Sequence, residues 1–150
     1  MILEMILQFL AASVGTISFS LLFSVPREHY PLCGVIGGIG WIITWFCING
    51  LQVGAIAGTF IATVFIVFAS RAGSTIRKCP VTLFLIPGIF PLVPGVGIYR
   101  TVYYTLMKET ERSEYYGRQT VGIAVAIVLG ILFVFEISQK TINRFFLRKK

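Results

Sequence analysis

The stretch Leu85-Ile86-Pro87-Gly88-Ile89-Phe90-Pro91-Leu92-Val93-Pro94-Gly95-Val96-Gly97 constrains this chain most. It is apolar enough to enter a membrane, yet it carries three prolines and three glycines. A proline has no backbone N–H, and its ring crowds the carbonyl four residues before it. If the segment is helical, the carbonyls of Leu83, Pro87 and Phe90 lose their usual partners. In lipid, such backbone is tolerated only where it is buried in protein or lines a wet cavity. The repeated pieces Leu85-Ile86-Pro87-Gly88 and Leu92-Val93-Pro94-Gly95 admit two readings. They are two kinks on one helix, or two half-helices whose free N–H and C=O ends face a cavity, as in the midplane sites of many secondary transporters.

Composition sets the class. Of 150 residues, 56% are hydrophobic and 13% charged, with no aspartate, and the mean hydropathy is +0.85. A soluble domain is about 25% charged, so residues 1–150 read as one integral membrane domain. The net charge of +7 raises the question of nucleic acid, but its placement answers otherwise. Lys140, Arg144, Arg148, Lys149 and Lys150 follow the last apolar run, and Arg71, Arg77 and Lys78 lie between two others. That is a juxtamembrane pattern, so the basic tail 139–150 is expected on anionic lipid and no nucleic-acid partner is expected. Cys33, Cys47 and Cys79 read as small apolar residues, not as a disulfide or metal framework.

Spanning helices need about 20 mostly apolar residues. Runs at 6–25, 31–48, 53–70, 81–99 and 121–138 meet that need, the fourth being the proline-rich one. The fold expected is an all-α membrane protein of about five transmembrane helices, the fourth broken by the Pro/Gly motif. With the basic 71–80 loop and the tail both cytoplasmic, the chain sits N-out and C-in in the cell membrane. The first run lacks a basic n-region and a small-residue cleavage site, and is expected to remain as a span.

Small residues recur every fourth position: Ala12, Thr16, Ser20 and Ser24; Gly34 and Gly38; Gly50, Gly54, Gly58 and Ala62; Gly122, Ala126 and Gly130. Such faces let helix backbones approach closely. Five helices are not expected to bury all of them internally, which points toward a partner. The Thr16/Ser20/Ser24 stripe is also the one feature a homo-oligomeric pore would use. Trp41, Trp45, Tyr30, Tyr99, Tyr103, Tyr104, Tyr115 and Tyr116 are expected as interfacial anchors, with packing an equal default for Trp41 and Trp45, which share a face.

No enzyme constellation, phosphate loop or metal pattern occurs, so neither catalysis nor a cofactor is expected. Two ionisable groups near the spans remain. Arg100 either snorkels to the outer surface or, if the broken helix continues through Met107, lies inside the bundle against a substrate carboxylate. Glu136 reads as solvated or paired with Lys140.

Phe23-Ser24-Val25-Pro26-Arg27, then Gly34-Val35-Ile36-Gly37-Gly38-Ile39-Gly40-Trp41, then Pro80 through Arg100 with its Pro/Gly core, resemble the threonine/serine exporter (ThrE-like) family in that order. The similarity is to the small-subunit type, equivalent to the C-terminal half of a full-length exporter. The resemblance implies an inner-membrane secondary transporter for small carboxylates, notably threonine and serine, with succinate for some relatives. It also implies a larger ThrE-like membrane subunit as partner. By position on the family motif, Pro87, Gly88, Pro91, Pro94, Gly95, Tyr99 and Arg100 are the candidate substrate-binding residues. The alternative is a non-transporting scaffold that stabilises or regulates a larger membrane protein.

Overall fold

The computed structural model describes residues 2–136; the basic tail and Lys140 lie outside the described residues. Six α-helices follow one another: α1 (Ile2–Leu22), α2 (Tyr30–Asn49), α3 (Ala55–Arg77), α4 (Thr82–Ile89), α5 (Gly95–Leu106) and α6 (Thr110–Glu136). Short 3-10 turns occupy Arg27–His29 and Phe90–Leu92. No strand occurs among the described residues. Helices α1, α2, α3 and α6 are each long and apolar enough to cross a membrane. Helices α4 and α5 meet at a 43° bend and make a fifth span if taken together. The protein is an all-α membrane protein.

Helix ends follow from local chemistry. At the end of α1, Ser24 takes a left-handed φ of 54°. Its N–H reaches the Leu21 carbonyl, and the Val25 N–H reaches Ser20. This paired closure satisfies carbonyls that a helix end leaves open, and Val25 buries itself beneath it. Lys108 at φ 60° closes α5 in the same manner, with Glu109 N–H on the Tyr104 carbonyl. Gly54, at φ 86°, turns the chain into α3, a conformation glycine adopts without Cβ strain.

The helices run in a defined order of neighbours. Helix α2 packs between α1 and α3, α3 packs on α6, and α4 lies across α1, α2 and α3. Helices α3 and α6 are parallel: Ile56 meets Gly122, Thr63 meets Gly130, and Arg71 meets Val134. The intervening segment must therefore return to the end at which α3 begins, as a crossing segment does and a re-entrant loop does not. Because Gly122 already lies on Ile56 near the start of α3, the Thr110–Val121 part of α6 extends past it by roughly 18 Å at 1.5 Å per residue. Helix α5 runs beside that extension, Gly97 on Thr120 and Tyr104 stacked on Tyr116.

Three expectations are corrected here. The 71–80 stretch is not one basic loop: α3 continues to Arg77, and Arg71 is buried in the α3–α6 seam. Most of the small-residue faces are consumed within the chain, although Ser24, Gly50 and Gly54 stay exposed. A Cβ at Gly37 or Gly38 would collide with Thr16 or Ser13 on α1, one at Gly40 with Ile66, one at Gly58 with Cys47, and one at Gly130 with Thr63. Helices this close gain dispersion contacts, which matters because lipid tails already supply apolar surroundings and remove the usual hydrophobic drive. Nor does the α1 hydroxyl stripe suit a pore. Thr16 and Ser20 are buried and donate to the carbonyls of Ala12 and Thr16 on their own helix.

What remains outside is apolar. Leu3, Leu7, Leu10 and Val14 of α1 and Val125, Leu129, Leu132 and Phe133 of α6 are exposed, as helices facing lipid require. The core instead gathers Phe84, Leu85, Ile66, Val67, Ile36 and Cys33 where α4 crosses α2 and α3.

Candidate substrate site at the broken helix

The break begins inside α4. Pro87 is fully buried and Gly88 sits on Ile66 and Ile36, where a Cβ would come within 3.1 Å and 3.3 Å of their methyl groups. The proline removes the donor that would have met Leu83, and the Cys33 thiol takes its place, 3.4 Å from the Leu83 carbonyl oxygen. The Phe90 N–H meets Pro87 O. The Val93 N–H in turn meets Phe90 O at 3.1 Å. All the carbonyls that the prolines threaten thus find donors within the protein, as membrane burial demands. Next, Val93 is extended, Pro94 adopts φ −79° and ψ 55°, and the Gly95 N–H bonds back to Val93 O at 2.8 Å. That is an inverse γ-turn. It resets the direction of the chain before α5 starts.

A pocket of about 280 Å³ borders this turn, lined by Gln8, Ala11, Ala12, Gly15 and Phe19 of α1, Trp41 of α2, and Phe90 and Pro91. Its polar element is one pair: the Trp41 indole N–H donates to the Gln8 side-chain carbonyl at 2.8 Å. Trp41 is half-buried and packs against α1, packing being one of the two roles open to it. Gly15 has open space where a Cβ would stand. The volume lies near the lower end of small-molecule sites, about 300–1,000 Å³.

The seven sequence-derived candidates do not converge on one cavity. Pro91 lines the pocket and Pro94 forms the turn beside it. Pro87 and Gly88 are packed against α2 and α3 and shape the break from behind. Gly95 is exposed at the start of α5, with nothing within 4 Å of its would-be Cβ. Tyr99 is 67% exposed, and its ring stacks along α5 on Tyr103. Arg100 is exposed, with its guanidinium 5.2 Å from the Tyr116 ring centroid on α6. Of the two placements open to Arg100, the structure has the one outside the bundle.

Sequence reading overlooked Gln8 and Arg71. Gln8 is an uncharged amide in an apolar run, and only the fold brings it to Trp41. Arg71 looked like loop charge. It is instead 4% exposed, donating to the Val134 carbonyl and lying 5.5 Å from the Phe135 ring centroid. The signal available was its position, one turn and a half before the end of a run that remains helical through Arg77.

A larger open groove of about 1130 Å³ runs between α3 and α6, floored by Ile56, Phe60, Val125 and Leu129 with Glu111, Glu114 and Arg118 near one end. None of its lining residues belongs to the break.

A family model described as "Threonine/Serine exporter, ThrE" matches residues 8–137. The chain belongs to the threonine/serine exporter family. The matched region takes in the whole break, the Gln8–Trp41 pair and the α3–α6 seam. An uncharacterized protein of Haemophilus influenzae is 24% identical over 100 residues, covering 67% of this chain. The match covers about a third of that curated relative's length, 33%. No solved structure matches this member of the exporter family.

Proposed function

We propose that this chain is the small subunit of a two-component secondary transporter that exports small amino acids, threonine and serine foremost. A small dicarboxylate such as succinate is the alternative cargo. The observation that carries the reading is the broken fourth span of an exporter-family chain, whose turn opens on a small pocket. The candidate substrate-contacting set centres on Pro91, Pro94 and Gly95. Pro87 and Gly88 hold the shape of the break, while Tyr99 and Arg100 stand on the adjoining α5 as an approach for a carboxylate. The partner proposed is a larger ThrE-like membrane subunit. In the cell membrane, the end bearing His29, Lys78 and Cys79 faces the cytoplasm and the α5–α6 extension faces outward, which gives N-out and C-in.

Efflux of labelled threonine, serine and succinate tests this, from cells expressing the chain alone, the larger subunit alone, or both. Export only with both establishes the two-component exporter and names its cargo. No export in any arm, with both proteins confirmed in the membrane, removes the transport reading and leaves the scaffold.

A further inference from the structure

The chain has a single histidine, and it is buried at the foot of the broken helix. His29 closes the 3-10 turn between α1 and α2 and is 6% exposed. Its ring stands edge-on to Phe84 of α4, with centroids 5.4 Å apart. Nε2 lies 3.4 Å from the carboxylate of Glu28, whose side chain is 73% exposed. Nδ1 is buried and has no hydrogen-bond partner. One ring nitrogen therefore reaches water through an exposed carboxylate while the other faces packed protein.

We propose that His29 is a proton-binding site that controls how α4 seats against α2. A neutral imidazole carries one N–H and one bare nitrogen; a protonated one carries two N–H donors. With Nε2–H toward Glu28, the added proton places a second donor at Nδ1, where the packed arrangement offers no acceptor. An unmade hydrogen bond of a charged group in such surroundings is costly. The ring relieves it by moving off Phe84. Phe84 is fully buried and adjoins Leu83, whose carbonyl is held by Cys33 four residues along from His29. Proton uptake at His29 thus loosens the contact that anchors the break.

The other groups around this foot are few. The turn itself supplies Arg27 and Glu28, α2 supplies Tyr30 and Cys33, and the α3–α4 connection supplies Cys79, whose thiol senses both Glu28 and Arg77. Helix α4 carries no titratable residue, and the last turn of α1 carries none. Among the described residues, Glu28 is the carboxylate placed against the ring. This inference deepens the transport reading, since a proton site coupled to the break is what an ion-driven exporter needs, but its test does not use transport.

The full chain, with Cys47 and Cys79 replaced by Ser so that Cys33 is the sole thiol, is placed in lipid nanodiscs and alkylated between pH 5 and 8. Rates are divided by those of the denatured chain at the same pH, which removes the thiolate's own pH dependence. The protonation state of the only histidine is followed by ¹⁵N NMR on the same sample. The expected result is that Cys33 labelling rises about tenfold as His29 takes up its proton, and that His29→Gln abolishes the response. Glu28→Gln, an exposed substitution, is expected to move the midpoint of both signals to lower pH, so the test stands even if His29→Gln misfolds. Titration of His29 with unchanged Cys33 labelling overturns the proposal, as does a His29 that keeps one protonation state across the range. Absent efflux in a chain with an intact Cys33 response counts against the exporter reading and not against His29.

Discussion

The Cys33 thiol donates to the Leu83 carbonyl across the α2–α4 interface, 3.4 Å from sulfur to oxygen, at the carbonyl that Pro87 leaves without a backbone donor. The cysteine thus compensates the proline. This relationship predicts coupling. Cys33→Ala removes the donor without adding bulk at this buried site, and should destabilise the bundle by about 1–3 kcal/mol. In a Pro87→Ala background, where residue 87 again carries an N–H, the same substitution should cost roughly 1 kcal/mol less. Unfolding of the four variants in detergent measures the cycle; additive effects would show that the thiol is mere packing.

The two prominent arginines should behave in opposite ways. Arg71 is buried and donates to the Val134 carbonyl on α6, so Arg71→Ala should cost about 1.5–3 kcal/mol, the range of a hydrogen bond from a charged donor. Lysine should not rescue it, because a point charge lacks the planar fork. Arg100 is exposed over Tyr116, and Arg100→Ala should change stability by no more than about 0.5 kcal/mol. Equal losses in a thermal or denaturant assay would contradict this division.

Glycines separate along the same lines. Gly37→Ala places a methyl group into Thr16, which is itself buried and bonded to Ala12 O. It should destabilise by about 1–3 kcal/mol and loosen α1 from α2, read as faster proteolysis between the two. Gly15→Ala meets open space and should leave stability nearly unchanged.

Cys79 provides a pH readout outside the spans. Burial pushes its thiol above the ordinary cysteine range; Arg77 pulls it down and Glu28 pushes it up. The thiolate is the reacting form, so alkylation of a chain with Cys79 as sole thiol should be slow at neutral pH. The rate should still be climbing where an exposed cysteine has begun to level off. Glu28→Gln should speed the reaction and Arg77→Gln should slow it. Reversed effects would place the thiol in a different field.

Much of the fold was written in the sequence because lipid permits so few solutions: the long apolar runs and the proline break map onto spans directly. The prolines even marked which carbonyls would need new partners. What periodicity could not reveal was who supplies them. For Leu83 the partner is Cys33, 50 residues away in the chain, and the Gln8–Trp41 and Arg71–Val134 contacts, 33 and 63 residues apart, were equally hidden. The small-residue faces misled for a related reason. Their spacing says that a helix can be approached closely, but not that Thr16, Ile66 and Thr63 of the same chain do the approaching. Arg100 was legible as a residue on the motif, yet its direction from α5 was not.

The most direct test of the central claim, that the break in the fourth span is the transport site, is efflux by the assembled complex carrying Gly95→Ala. No atom lies within 4 Å of the added methyl, so folding and assembly should be intact. Export of the cargo should nevertheless fall sharply, and Pro91→Ala, at the pocket wall, should fall with it. Wild-type efflux from both variants, with the complex assembled, would contradict the account.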